Sequence, residues 1–200
     1  MKYIIIYLFL IIFRISYTQI PINLIYTEED CSIILLDKIN EYRVKNGLNK
    51  LELDTTLTKA CKHHCEYMSV YDIASHFETN SDSSHLIESI SFPLDRVERF
   101  GENPGNMLKE NCLNIGPMIF KDTSFNYLTR KWKSNISMNI IDTDISSGCV
   151  LQKWIESVDH NLTLLEKQAT AAGIYQKIYI NKSGKYKVVS ALMITNKILN

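Results

Sequence analysis

Apolar residues recur at helical spacing in several separate stretches. Leu35, Leu36, Ile39 and Tyr42 fall on one face of a segment running from Ser32 to Asn46, with Gly47 placed to end it. After a brief alternation at Leu51 and Leu53, Asp54 can cap a second helix. The apolar stripe of that helix is Leu57, Ala60, Cys61, His64, Cys65 and Met68. Pro93 suits the first turn of a third helix, with Leu94, Val97 and Phe100 inward and Gly101 as its stop. Val150 to Ser157 reads as a further helix around Leu151 and Trp154. The period then changes. Ile174, Ile178 and Ile180 interleave with Gln176, Lys177 and Tyr179. Asn181-Lys-Ser-Gly makes a turn, and Tyr186 to Ile194 returns as a strand. Helices first and a hairpin last predict an α+β fold, an α-β-α sandwich in which helices flank a mainly antiparallel central sheet. The segment 112–148 has no clear period.

The N-terminus has another character. Lys2 precedes an unbroken apolar run from Ile4 to Phe13, and Ser16 and Thr18 then supply small side chains. This is the pattern of a secretory signal peptide, residues 1–18, cut near Thr18 or Gln19. A membrane anchor needs roughly 20 mostly apolar residues, and Arg14, Gln19, Pro21 and Asn23 break this run too early. Residues 30–197 then form one domain of the secreted, extracellular protein, with no membrane insertion.

The 22 basic and 22 acidic side chains balance, and loss of Lys2 and Arg14 leaves a slight negative excess. Nothing there attracts a phosphate backbone, so nucleic acid is excluded as a partner. Export changes the meaning of the cysteines. Cys31, Cys61, Cys65, Cys112 and Cys149 are expected to pair as far as an odd number allows, with Cys61 and Cys65 reaching from one helix face to other elements. Asn135, Asn161 and Asn181 begin glycosylation sequons. The glycan at Asn161 is expected to be the least occupied, because this residue adjoins His160.

Three polar residues stand out at the predicted element ends, where a scaffold presents functional side chains: His76, Glu110 and His160. Two histidines with a nearby carboxylate can hold Zn²⁺ or another divalent metal with positions left open. The alternative is that they hydrogen-bond one another and fix the loops around a cleft. Gly101-Glu102-Asn103 rivals Glu110-Asn111 for the carboxylate position. Glu110 is preferred because Gly101 is needed as a helix stop and Leu113 and Ile115 can follow Glu110 in a strand.

In order and spacing these pieces resemble the CAP superfamily of cysteine-rich secretory proteins, antigen 5 and pathogenesis-related 1, and lean towards its shorter, bacterial-type members. The likeness runs from Leu36 to Ile194. It is carried by the Ile39–Leu48 helix and turn, Leu51-Glu-Leu-Asp with Ala60, His64 and Met68, and Ser75-His76-Phe77. Asp95-Arg96 with Gly101, Glu110-Asn111, Trp154-x-x-Ser157-x-x-His160 and Ala172-Gly173-Ile174 complete it. The resemblance implies a central cleft with His76 and His160. It also implies a non-enzymatic binding, defence or interaction protein, whose ligand is an unknown protein, a lipid or a sterol. The alternatives are a metal-dependent hydrolase using His76, Glu110 and His160, and a structural extracellular component. The chain departs from the family at Ser157, where animal and plant members carry a second Glu, at Tyr175, where a Gly is usual, and at Cys61 and Cys65, where small residues are usual. N-terminal sequencing of the exported protein is expected to begin near Gln19; recovery of Met1 on membrane-bound protein contradicts the leader.

Overall fold

The computed structural model describes residues 23–24, 28–79, 90–101, 104, 107–115, 140–141 and 143–196. The leader, the sequon at Asn135, Glu102 and most of 112–148 lie outside them. Five helices are described: α1 (Glu28–Lys45), α2 (Thr55–Tyr71), α3 (Pro93–Arg99), α4 (Thr143–Glu156) and α5 (Val158–Leu164). The main sheet contains β2 (Glu52–Leu53), β3 (Leu108–Ile115), β5 (Ala171–Ile180) and β6 (Tyr186–Thr195) in the order β2-β5-β6-β3. β1 (Asn23–Leu24) and β4 (Ile140–Ile141) form a separate parallel pair.

The first helix begins at Glu28, four residues before the expected Ser32, while other expected starts and stops are present. Asp54 caps α2, its Oδ1 accepting from the Thr56 and Leu57 amides at 2.8 and 2.9 Å. Pro93 opens α3, and Gly101 follows it with a φ of +88° that a glycine adopts without steric cost. The hairpin β5–β6 pairs in antiparallel register from Ala171↔Thr195 to Ile180↔Tyr186. The sheet itself is mixed rather than mainly antiparallel. β3 joins β6 antiparallel, but β2 runs parallel to β5. The physical reason lies at the short edge: the Glu52 and Asp54 amides donate to Thr170 O and Ala172 O, which docks α2 as the capped continuation of an edge strand.

The period of two divides the hairpin between two cores. Ala172, Ile174, Ile178, Val188, Leu192 and Ile194 meet Leu35, Ile39, Val150, Trp154 and Leu164 on one side of the sheet. Tyr175, Tyr179, Val189, Ala191 and Met193 meet Leu57, Ala60, Cys61, Cys65, Met68 and Val97 on the other. Helices therefore cover both faces, as an α-β-α sandwich requires. α2 lies so close to β5 that a Cβ on Gly173 would sit 2.2 Å from the Leu57 backbone. The same closeness corrects the expectation for the thiols. No disulfide joins any of the five cysteines. Cys61 Sγ donates to Gly173 O at 3.2 Å and Cys65 Sγ to Tyr175 O at 3.4 Å, so both are spent on sheet carbonyls rather than on disulfides. Burial raises the pKa of both thiols.

α4 begins earlier than the sequence pattern indicates, at Thr143, and His160 lies beyond its end. The chain breaks at Ser157, and His160 stands in the separate α5. Arg43, fully buried, holds α5 and the loop after it to the end of α1. Its guanidinium donates to Asn49 O, Leu164 O, Glu166 O and Ala169 O. Gly173→Ala is expected to lower unfolding stability by about 1–3 kcal/mol, the usual cost of overpacking, read by urea titration; an unchanged midpoint contradicts the close approach.

Candidate functional site

His76 is placed by the way α2 ends. Asp72 takes a left-handed φ of 56°, and the Ile73 amide closes on Met68 O at 3.1 Å. A Ser75 turn, with Ser75 Oγ accepting from the Phe77 amide at 3.0 Å, then presents the His76 ring. Glu110 and Cys112 come from β3, the edge of the sheet, and alternation puts both on the side facing α2 and α3. Asn111 faces the other way and donates to His160 O at 3.0 Å, which holds the start of α5 beside the same edge. The three residues expected to share a cleft are thus brought together. His76 Nδ1 lies 2.9 Å from Glu110 Oε2, and the His76 and His160 ring centroids are 6.5 Å apart.

Beneath them lies a buried ionic network that periodicity does not disclose. Arg96 on α3 is fully buried. Its Nη2 donates to Glu110 Oε1 at 2.6 Å and to His76 O at 3.1 Å. Nη1 donates to Ile90 O at 3.3 Å and is 3.5 Å from Glu78 Oε1. Glu78, only 1% exposed, also meets His64 Nδ1 at 2.8 Å and His63 Nε2 at 3.2 Å, and accepts from the Ile90 amide at 2.7 Å. His64 Nε2 donates to Ser75 O at 2.7 Å. The signal for His64 was its place on the apolar stripe of α2, because a buried imidazole must have partners. Glu78 had no such signal, since it sits in a loop.

These contacts set the charges. Burial disfavours the Glu78 carboxylate, but hydrogen bonds from His63 and His64 outweigh it and hold the pKa at about 2. Burial likewise opposes a charged His64, yet Cys112 and Glu78 raise its pKa to about 9. His76 is raised to about 10 by Cys112 and Glu110. Glu110 is lowered against its own burial by His76 and Arg96. Cys112, whose Sγ is 3.6 Å from His76 Nδ1, is lowered against burial by His64 and His76. His160 moves the other way, lowered by burial and by the charge of His76, so its ring is the neutral one of the pair.

The site opens into a cavity of about 590 Å³ with largely apolar walls, among them Phe77, Phe92, Leu94, Met107 and Leu108, while His76 and Glu110 supply polar groups. Phe77 and Phe92 meet edge to face at 5.5 Å. Among the described residues no second carboxylate joins the cleft: Glu156 is exposed and bound to Lys153 Nζ at 2.8 Å and to Gln152 Nε2 at 3.2 Å. Two of the sequons are tied into the fold. Asn161 Oδ1 accepts from Tyr42 Oη at 2.9 Å, and Asn181 Nδ2 donates to Asp72 Oδ2 at 3.1 Å.

The residues between 36 and 190 match the CAP family, the cysteine-rich secretory protein family, and the chain belongs to it. Two solved structures have the same fold. An outer surface protein from Borrelia burgdorferi is 17% identical with a TM-score of 0.55, over 86% of this chain and 97% of that one. An extracellular protein containing an SCP domain from Bacillus anthracis is 18% identical with a TM-score of 0.54, over 85% of this chain; the chain spans 41% of the Bacillus protein. No curated protein matches the sequence. Among the described residues no helix is long and apolar enough to cross a membrane.

The network makes stability depend on pH from both sides. Glu78 has a depressed pKa, so its contribution is present above 4.5 and is lost as pH falls towards about 2. His64 has a raised pKa, so its contribution is complete below 6.5 and is lost as pH rises through about 9. Thermal unfolding is expected to show its highest midpoint between those limits. Glu78→Gln is expected to flatten both limbs, and a variant with the unaltered pH profile contradicts the assignment.

Proposed function

We propose that the chain is a secreted, non-enzymatic binding protein of the CAP type, whose cleft takes a divalent metal on His76 and His160 and an apolar ligand such as a lipid or sterol in the adjoining cavity. The observation that carries binding over turnover is the state of Glu110. Both its oxygens are occupied, one by His76 and one by Arg96, and its pKa is lowered. A general base needs a free oxygen and a pKa near the working pH. Glu110 has neither, which disfavours the metal-dependent hydrolase.

The donors suit a metal such as Zn²⁺. Glu110 engages His76 Nδ1 and so leaves Nε2 as the ring atom able to ligate, oriented by a carboxylate behind it. His160 is the neutral imidazole beside it. A bound Zn²⁺ would supply charge that fixes the cleft or a polar head group of a ligand. His76 must give up a proton for this. Arg96 keeps Glu110 in place while that happens, because it holds the second oxygen. The cavity volume, about 590 Å³, lies within the usual range for small-molecule sites. Export rests on the leader at residues 1–18, and the Bacillus relative named as extracellular shares the fold. On this reading Asn135 and Asn181 carry glycans, and Asn161 carries fewer because it adjoins His160, where a glycan would crowd the cleft.

The test is calorimetric titration of Zn²⁺ into the purified protein and into His76→Ala and His160→Ala. Affinity is expected to fall on the order of tenfold or more in each, as losing a donor implies; equal affinity in His160→Ala refutes the metal assignment. In parallel, Phe92→Glu is expected to weaken binding of a fluorescent fatty acid. Turnover of esters or peptides that requires Glu110 would overturn the non-enzymatic assignment.

A further inference from the structure

Glu110 has two sides. One side borders the open cleft and the other a buried group of donor atoms, and each oxygen, already hydrogen-bonded once, keeps a second lone pair that a cation can use. His64, Glu110 and Cys112 each offer one donor atom there, and the three atoms lie within 4.8 Å of one another. We propose that this is a second, inner metal site, specific for a thiophilic divalent cation, zinc by its ligand set, with Cys112 as the sulfur ligand.

Four features support it. The donors are a thiolate, a carboxylate and an imidazole, which together neutralise a 2+ ion and match the sulfur, oxygen and nitrogen preferences of zinc. The three come from rigid elements: His64 from the middle of α2 and the other two from adjacent same-face positions of β3. The site is dry, since His64 is fully buried, the Glu110 side chain is 3% exposed and Cys112 is 6% exposed. The surrounding hydrogen bonds are those of an outer shell. Arg96 binds Glu110, and the His64 ring is held by Glu78 through Nδ1 and by Ser75 O through Nε2. Coordination replaces one of those two ring contacts and leaves the other to orient the imidazole, the usual arrangement behind a zinc-bound histidine. His76 Nδ1, 3.6 Å from Cys112 Sγ and 2.9 Å from Glu110 Oε2, borders this group on the side of the cleft.

Cys112 is otherwise hard to account for. Cys61 and Cys65 give their thiols to sheet carbonyls, whereas Cys112 Sγ lies 3.6 Å from His76 Nδ1. As a ligand it gives up its proton when the cation enters, so uptake releases protons to solvent.

Cobalt(II) separates this site from the outer cleft, because sulfur coordination produces a strong near-ultraviolet thiolate-to-metal band and nitrogen or oxygen coordination does not. The full chain, kept reduced, is titrated with Co²⁺. The band is expected in the unaltered protein, expected to vanish in Cys112→Ser, and expected to persist in His160→Ala. Absence of the band, or its survival in Cys112→Ser, overturns the inner site while leaving the outer one open to visible-region cobalt spectra that respond to His160→Ala. Persistence of the band with no response of the metal stoichiometry to His160→Ala supports the inner site and counts against the outer. Should Cys112→Ser fail to fold, X-ray absorption of the zinc-loaded unaltered protein decides: a first shell containing sulfur is expected, and one of nitrogen and oxygen alone refutes the proposal.

Discussion

The inner wall of the cleft is anchored to one buried guanidinium. Arg96 reaches both Glu78 and Glu110, and through its own hydrogen bonds it also holds the carbonyls of His76 and Ile90. The residues involved come from α3, from β3 and from the loop after α2. Burying such charges costs several kcal/mol per ion unless each is paired and hydrogen-bonded. Here the pairing is what lets a loop residue, a helix residue and an edge-strand residue occupy one spot. Removing one member would strand the others without water. The network therefore acts on geometry more than on net stability: it fixes where Glu110 stands, and Glu110 in turn fixes the His76 ring.

The sheet supplies the second constraint. Because β3 is an edge strand in the described sheet, its alternating residues divide the site between the two layers of helices. Glu110 and Cys112 join α2 and α3, while Asn111 holds His160 of α5 from the opposite face. The cleft straddles the edge, which explains how two histidines so distant in the chain approach to 6.5 Å. Arg43 completes the arrangement by tying the α5–β5 loop to α1. Polarity is graded across this edge, from an open apolar cavity through the His76–Glu110 pair to a dry interior of histidine, carboxylate and thiol.

Membership of the CAP family accounts for the layers. It does not account for the interior. Cysteines at 61 and 65 fill positions where α2 presses on β5, and there they behave as small, buried side chains with a weak donor. Ser157 at the position of a second carboxylate breaks the chain between α4 and α5, and Glu156 is turned to Lys153 on the surface. Among the described residues the cleft thus has one acidic residue, Glu110, and both its oxygens are hydrogen-bonded.

The patterns that depend on near neighbours were legible in the sequence. Asp54 as a cap, Pro93 as a helix start, Gly101 as a stop and the two-residue period of the hairpin act over a few residues, so local chemistry alone decides them. His76, Glu110 and His160 could be singled out as well, through their order and the resemblance they carry. What only the tertiary structure decided are contacts across long sequence separations. The parallel pairing of β2 with β5, the separate helix that carries His160, the lack of disulfides and the convergence of Glu78, His64, Arg96 and Cys112 are of this kind. A buried charge has no periodicity of its own. Its place is set by the partner that neutralises it, and that partner arrives from another element only when the layers close.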